Sequence, residues 1–399
     1  MSDAARAAER AARDSYGRLL AFLVSRTGDI GLAEDALADA FAKALTTWPE
    51  QGVPDVPDAW LLRVARNRMT DRQRHVARFH SPEEAPDMPT PDLDSDPAVP
   101  DERLTLLMVC AHPAIARDMH TPLMLQTVLG VEAKVIARVF MVSPAALTKR
   151  LVRAKAKIRD ARIPFALPEP DALPDRSSAI MEAIYAVHSV DWLAPEDALG
   201  AEALYLADLL VTLLPQTPEA MGLSALIAFG HARRAARVVD GVLVPTGEQD
   251  MSLWDARLRD YGAHMLSRAF AAGAPGRFQI EAAIQQVHMA RNDTSETDWG
   301  ALNKLYHALL QMTPSAGARV AQAVVTGRIH GSAAGLAALD QIEVDVGFDM
   351  QPLWAARADM LAELAHADAA RAAYTKAMSL ATDAPLVRFL ERQRATLAG

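Results

Sequence analysis

The chain has 399 residues, 51% of them hydrophobic and 23% charged, with a formal net charge of −9. That composition excludes wholesale disorder, and the length exceeds what one hydrophobic core usually serves. One cysteine, Cys110, excludes a disulfide framework or cysteine-rich zinc module and fits a reducing cytosol.

The opening MSDAARAAERAARD is charged and lacks the apolar core of a signal peptide. No stretch approaches the roughly 18 uncharged apolar residues of a membrane span, so a cytoplasmic location is expected. Residues 5–27 predict a helix with Tyr16, Leu19, Leu20 and Leu23 on one face. Residues 31–47 predict a second, with Leu32, Ala36, Leu37, Ala40, Phe41, Ala44 and Leu45 at helical spacing and Asp29 placed to cap it. Pro49, Gly52, Pro54 and Pro57 predict a loop over 49–58, and Asp58 is placed to cap a helix over 59–78. Within that helix, residues 60–78 carry six arginines against one aspartate. Residues 79–102 hold eight acidic residues, six prolines and no Lys or Arg, which is the composition of a tether.

Helices are expected near 102–111, 113–118 and 121–129, then a short amphipathic one over 132–141 with Val135, Ile136, Val139 and Phe140 apolar. Ser143 is placed as N-cap and Pro144 as first residue of a helix to about 161, with Leu147, Leu151, Ala154 and Ile158 inward. Residues 149–162 carry seven basic residues against one acidic. A short helix, a tight turn and a longer basic helix make the helix-turn-helix pattern, although an ordinary helical hairpin shares the spacing. Small and polar residues lead the longer helix and cations follow, the order that suits base edges first and phosphates behind.

Three segments then carry a resemblance. GDIGLAEDALADAFAKALTTWPE followed by PDAWLLRVARNRMTDRQR resembles region 2 of bacterial sigma factors of the extracytoplasmic-function type. VEAKVIARVFMVSPAALTKRLVRAKAKIR resembles their region 4, and CAHPAIA with RLVRAKAKIRDARIPF resembles the subgroup bearing a long C-terminal helical extension. The resemblance implies that helix 31–47 docks on the β′ clamp helices of core RNA polymerase through Asp35, Phe41, Leu45 and Trp48, while region 4 reaches the β flap. For at least one of these side chains, Phe41 first, a plain core role fits as well. Helix 59–78 is implied to open the −10 element through Arg66, Asn67, Arg68, Asp71 and Arg72. Asn reads a base edge and Arg pairs with phosphate or stacks on an unpaired base; Asp71 orients an arginine or marks a structural position. The 49–58 loop corresponds to one that holds a flipped base. Major-groove contact with the −35 element is implied for Ser143, Thr148, Lys149 and Arg153, with Arg150, Lys155 and Lys157 toward phosphates. Lys134 departs from the pattern, standing where an acidic neighbour is expected.

The two halves differ in charge: residues 1–165 hold 23 Lys+Arg and 22 Asp+Glu, a net +1, and residues 166–399 hold 18 and 28, a net −10. The acidic half opens with a Pro-rich hinge, 166–176, and continues in helical pattern. LLPQTPEA at 213–220 and LLQMTPSA at 309–316 share LLxxTPxA. Trp354, Ala358, Leu361, Ala370, Tyr374 and Ala377 follow the tetratricopeptide spacing. The half contains no HExxH, no GxSxG and no Gly-rich phosphate loop. Asp250, Trp254 and Asp255 either line a groove or cap and pack.

The expected architecture is therefore all-α: region 2 over 1–78, the tether over 79–102, region 4 over 103–165, the hinge over 166–176 and a tetratricopeptide-like solenoid over 177–399. The expected function is an alternative sigma factor, not an enzyme, needing no metal and no cofactor. Its partners would be core polymerase, promoter DNA and, through the solenoid, an intramolecular or protein partner, with no membrane. A stand-alone helix-turn-helix regulator and an enzyme in the C-terminal half are the alternatives.

Overall fold

Capping decides where the first helices begin and end. In a computed structural model, which describes residues 3–80, 101–128, 130–139, 142–193, 197–273, 275–294, 296–346 and 349–397, α1 (Asp3–Thr27) is followed by α2 (Ile30–Gln51). The Asp29 carboxylate accepts from the Leu32 N–H at 3.1 Å and starts α2. The helix runs through Pro49, past the expected start of the loop. Pro49 lacks the N–H that would bond the Leu45 carbonyl, and the break falls at an exposed turn, Leu45 being exposed. Gly52, at φ 86°, then ends the helix with its N–H on the Trp48 carbonyl. Since α3 (Pro57–His80) starts at Pro57, the expected 49–58 loop shrinks to 52–56. Leu19, Leu20, Leu23, Ile30, Leu37, Trp48 and Leu61 are fully buried between α1, α2 and α3. Trp48 meets Trp60 edge to face at 5.5 Å, and Arg18 pairs with Asp58.

The acidic tether lies almost wholly outside the described residues. After it come α4 (Arg103–Cys110), α5 (Arg117–Thr127), α6 (Ala133–Val139) and α7 (Pro144–Asp160). No helix forms from 113 to 116, contrary to the expectation for 113–118. Pro113 disfavours helical backbone at His112, and the His112 ring instead accepts from the Ala114 N–H at 3.1 Å. Val139 and Phe140, expected on the apolar face of α6, lie outside the described side chains.

The chain divides into two compact units, one of residues 1–191 with 196–202, the other of 192–195 with 203–399. The expected hinge at 166–176 thus falls inside the first unit, as does most of α8 (Leu173–Leu193). Arg176 on α8 donates to the Met108 carbonyl at 3.3 Å, and Ile180, Ala183 and Ile184 are fully buried. Cys110 is fully buried beside Thr127, and burial pushes its thiol up to about 12. Burial thus keeps the thiol protonated and out of reach, and the thiolate is the reactive form. Cys110 is expected to resist a disulfide reagent in the native protein and to react at once in denaturant; prompt stoichiometric labelling of native protein would contradict this.

α9 (Asp197–Leu213), in the second unit from Ala203 on, leads to α10 (Pro218–Ala232), which is buried on every side from Ala220 to Gly230, the mark of a central helix. The short α11 (Arg234–Arg237) follows, then an antiparallel hairpin of β1 (Val238–Val239) and β2 (Val242–Leu243). α12 (Ala256–Ala271) and α13 (Arg277–Thr294) pack on α10. A Cβ on Gly262 would stand 2.8 Å from the Phe229 ring, so only glycine allows α12 this close. Glu219 caps α13, accepting from the Phe278 and Gln279 N–H groups at 2.9 and 3.2 Å. Beyond lie α14 (Trp299–Met312), α15 (Ala316–His330), α16 (Ser332–Val346), α17 (Gln351–Glu363), α18 (Ala367–Leu380) and α19 (Ala384–Thr396), each packed on the next. Trp354, Ala358, Leu361, Tyr374 and Ala377 share one apolar cluster between α17, α18 and α19. Arg388 on α19 reaches back to the Gly241 carbonyl of the hairpin at 2.7 Å. The fold is all-α, with that hairpin as its one departure among the described residues.

Candidate nucleic-acid interface

Two surfaces of the first unit carry the expected site residues. On α2, Asp35 is exposed, Leu45 is 53% exposed, and Phe41 is half-buried, stacked on Tyr16 at 6.5 Å. Trp48 is 2% exposed, so the core role, expected first for Phe41, is taken by Trp48. The cause is helix phase: Trp48 lies on the row of Leu37, Ala40 and Ala44, all buried, whereas Leu45 lies one residue round. On α3, Asn67, Arg68 and Asp71 are exposed and Arg66 is half-buried; the Arg72 side chain lies outside the described residues. A groove of about 360 Å³ between α2 and α3 is lined by Leu32, Asp35, Ala36, Asp39, Arg68, Met69 and Asp71. Arg68 leans on Asp39 across it at 3.6 Å. Asp39 lies one turn from Asp35 on α2, at i, i+4 spacing, and lines the same groove. The groove joins the face expected to meet protein with the helix expected to meet DNA.

The second surface is α7. Ser143 takes the N-cap position, its hydroxyl accepting from the Ala146 N–H at 3.2 Å. The Thr148 hydroxyl donates to the Pro144 carbonyl at 2.9 Å. Lys149, Arg153 and Lys157 are exposed. Arg150 is half-buried and pairs with Asp118 of α5.

Lys155 behaves differently. Its side chain is 13% exposed, and its ammonium donates to both carboxylate oxygens of Glu34 on α2 at 2.6 Å. Burial raises the Glu34 carboxyl above its usual range, and Lys155 opposes that rise. Arg159 approaches Asp29 at 3.8 Å. Close packing joins the same two parts elsewhere: a Cβ on Gly17 of α1 would stand 2.1 Å from the Val128 carbonyl oxygen. The helices expected to bind polymerase and the −35 element are thus held against each other.

In the second unit, the residues left open between a groove and a cap act as caps and packing. Asp250 accepts from the Ser252 N–H at 2.9 Å, Trp254 is buried, and Asp255 accepts from the Arg257 and Leu258 N–H groups at 2.9 and 3.1 Å. Asp255→Ala is expected to cost about 1 kcal/mol of stability, the usual worth of an N-cap, measured as a shift in the urea midpoint. Asp208, Ser224 and Tyr261 form a partly buried polar knot, with Tyr261 donating to Asp208 at 2.5 Å and Ser224 donating to it at 2.6 Å. Among the described residues no group of His, Cys, Asp and Glu is placed to hold a metal, and no helix is long and apolar enough to cross a membrane.

Comparison with known proteins gives two family matches and one relative along nearly the whole chain. Residues 12–79 match sigma-70 region 2, and residues 176–270 match a family of unknown function, DUF6596. An uncharacterized protein of Rhizobium meliloti (strain 1021) is 33% identical over 387 residues, which cover 93% of this chain and 91% of the relative. No solved structure matches the chain.

Proposed function

Because the chain belongs to one family with the Rhizobium meliloti protein and carries sigma-70 region 2, which supports a sigma-70 family sigma factor binding core polymerase and promoter DNA, we propose that it is an alternative sigma factor of the extracytoplasmic-function type. In this reading α2 docks on the β′ clamp helices through Asp35 and Leu45, with Phe41 beside them. Asn67 and Arg68 of α3 hold the opened −10 element, where Asn reads base edges and Arg stacks or pairs with phosphate. α6 and α7 are the helix-turn-helix of region 4, which also meets the β flap. α7 enters the major groove at the −35 element with Lys149, Arg153 and Lys157 available to DNA. The second unit is a tetratricopeptide-like regulatory domain that adds a protein or intramolecular contact. The match to region 2, in a module whose α2 and α3 leave Asp35, Leu45, Asn67 and Arg68 exposed, is the observation that carries this reading.

The pairing of Glu34 with Lys155 gives the proposal a conformational step. Elements at −35 and −10 are centred about 25 base pairs apart, roughly 85 Å along the duplex. Two helices joined by a hydrogen bond do not reach both, so promoter engagement separates them. The 24 residues from 79 to 102 span about 80 Å when extended, enough for that separation. The paired arrangement is the state off the promoter, and Lys155 becomes available to phosphate only when the pair opens.

Run-off transcription with purified core polymerase and a genomic promoter library tests the function, comparing full-length protein with residues 1–202. The truncation keeps α8, which a cut at 165 would remove from the first unit. Specific starts with full-length protein support the reading. Their loss on truncation makes the second unit activating, and a gain makes it inhibitory. Absence of both specific starts and core binding would sink the proposal in favour of a stand-alone regulator.

A further inference from the structure

α7 buries Leu147, Leu151, Ala154 and Ile158. At about 100° per residue, the opposite row is Ala145, Lys149, Val152 and Ala156, flanked by Thr148 on one side and Arg153 on the other. Val152 is 62% exposed, an apolar, β-branched side chain on a row whose one cation is Lys149. The polar groups expected to read bases beside it are already engaged within the helix: the Thr148 hydroxyl donates to the Pro144 carbonyl, and the Ser143 hydroxyl accepts from the Ala146 N–H. Thr148 therefore leaves its methyl as the free end of the side chain. Lys149 alone adds a strong hydrogen-bonding group to a surface made of the methyls of Ala145, Thr148 and Val152.

Val152 lies opposite the inward row Leu147, Leu151, Ala154 and Ile158, so helical phase turns it away from the core. The structure places it outside. Exposed Lys149, Arg153 and Arg159 lie on the same outward half of the helix at about 100° per residue, with Asp160 the one acid of the helix. That border complements phosphates and argues for duplex DNA as the occupant. In the major groove the one base feature that an aliphatic side chain recognises is the thymine 5-methyl group. We propose that Val152 is a specificity-determining residue that packs on the 5-methyl of a thymine in the −35 element, with Lys149 one turn away donating to a neighbouring base edge. The proposal rests on the reading of α7 as the −35 helix.

The test uses full-length protein with core polymerase on a promoter recovered by run-off transcription. Each −35 thymine, on either strand, is replaced in turn by deoxyuridine, which removes the methyl and keeps the hydrogen-bonding edge. Wild-type protein is expected to lose about fourfold in competition binding at one position, the worth of one buried methyl-sized group. Val152→Ala is expected to show no loss at that position and to bind the thymine promoter as wild type binds the deoxyuridine one. Its Tm is expected to be unchanged, since the site is exposed and alanine is a good helix former. Absence of any deoxyuridine penalty in wild type, or an undiminished penalty in Val152→Ala, overturns the assignment. The parent reading fails separately: if the −35 region is not protected from cleavage and Lys149→Ala with Arg153→Ala leaves binding intact, α7 is not the −35 helix and both fall.

Discussion

Alanine at both Lys149 and Arg153 is expected to weaken promoter binding by the polymerase complex about 10- to 100-fold at moderate salt. Both side chains are exposed on α7, so their removal opens no cavity in the core. A cation that meets a phosphate releases counterions, and each such contact contributes close to one unit to the slope of log affinity against log salt. With Lys149 on a base edge and Arg153 on a phosphate, the double variant should therefore lower that slope by about one as well as lowering affinity. Core polymerase binding without DNA should stay at the wild-type level, because Asp35 and Leu45 lie on α2. Filter binding across a salt series checks all three. An unchanged slope would mean that neither residue meets phosphate, and equal loss of core binding would mean that α7 serves protein contacts.

Gly17→Ala is expected to shift the first unit toward its separated form. The added Cβ would meet the Val128 carbonyl oxygen at 2.1 Å, and a backbone atom cannot swing aside as a side-chain tip can. Overpacking of this kind costs about 1–3 kcal/mol. Borne by the paired state alone, it lowers the ratio of paired to separated protein roughly 5- to 150-fold. The expected results are a larger hydrodynamic radius and more specific transcript at limiting core polymerase. Glu34→Gln, which takes the charge partner from Lys155 without adding volume, should move both readouts the same way by less. A protein that stays compact and transcribes at the wild-type level in both variants would show that pairing does not limit activity. If instead Gly17→Ala loses helix content, Glu34→Gln carries the comparison alone.

Local chemistry made the helices and much of the candidate site legible in the sequence. Asp29 starts α2 and Ser143 with Pro144 starts α7, each signal lying within a few residues of the helix it caps. The inward row Leu147, Leu151, Ala154 and Ile158 is likewise local, since 3.6-residue periodicity needs no partner to be seen. The order along α7, with small residues first and cations behind, is readable for the same reason. The misses were also local in kind. Pro49 inside α2 reads as a stop, yet the helix continues to Gln51, and Phe41 reads first as the core side chain where Trp48 is the one buried.

The sequence by itself determined the all-α class, the caps that bound these helices, and the region 2 and α7 surfaces with their charges, because each follows from residues one helical turn apart. Only the tertiary structure decided which of those residues meet. Lys155 and Glu34 are 121 residues apart in the chain, and nothing local marks Lys155 rather than Lys157 as the one turned toward α2. The same holds for Trp48 in the core with Leu45 outside, and for α8 completing the first unit rather than opening the second. A helix carries several faces of similar composition, and which one is buried is settled by the close packing of its neighbours, down to the single hydrogen at Gly17 that lets α1 approach Val128.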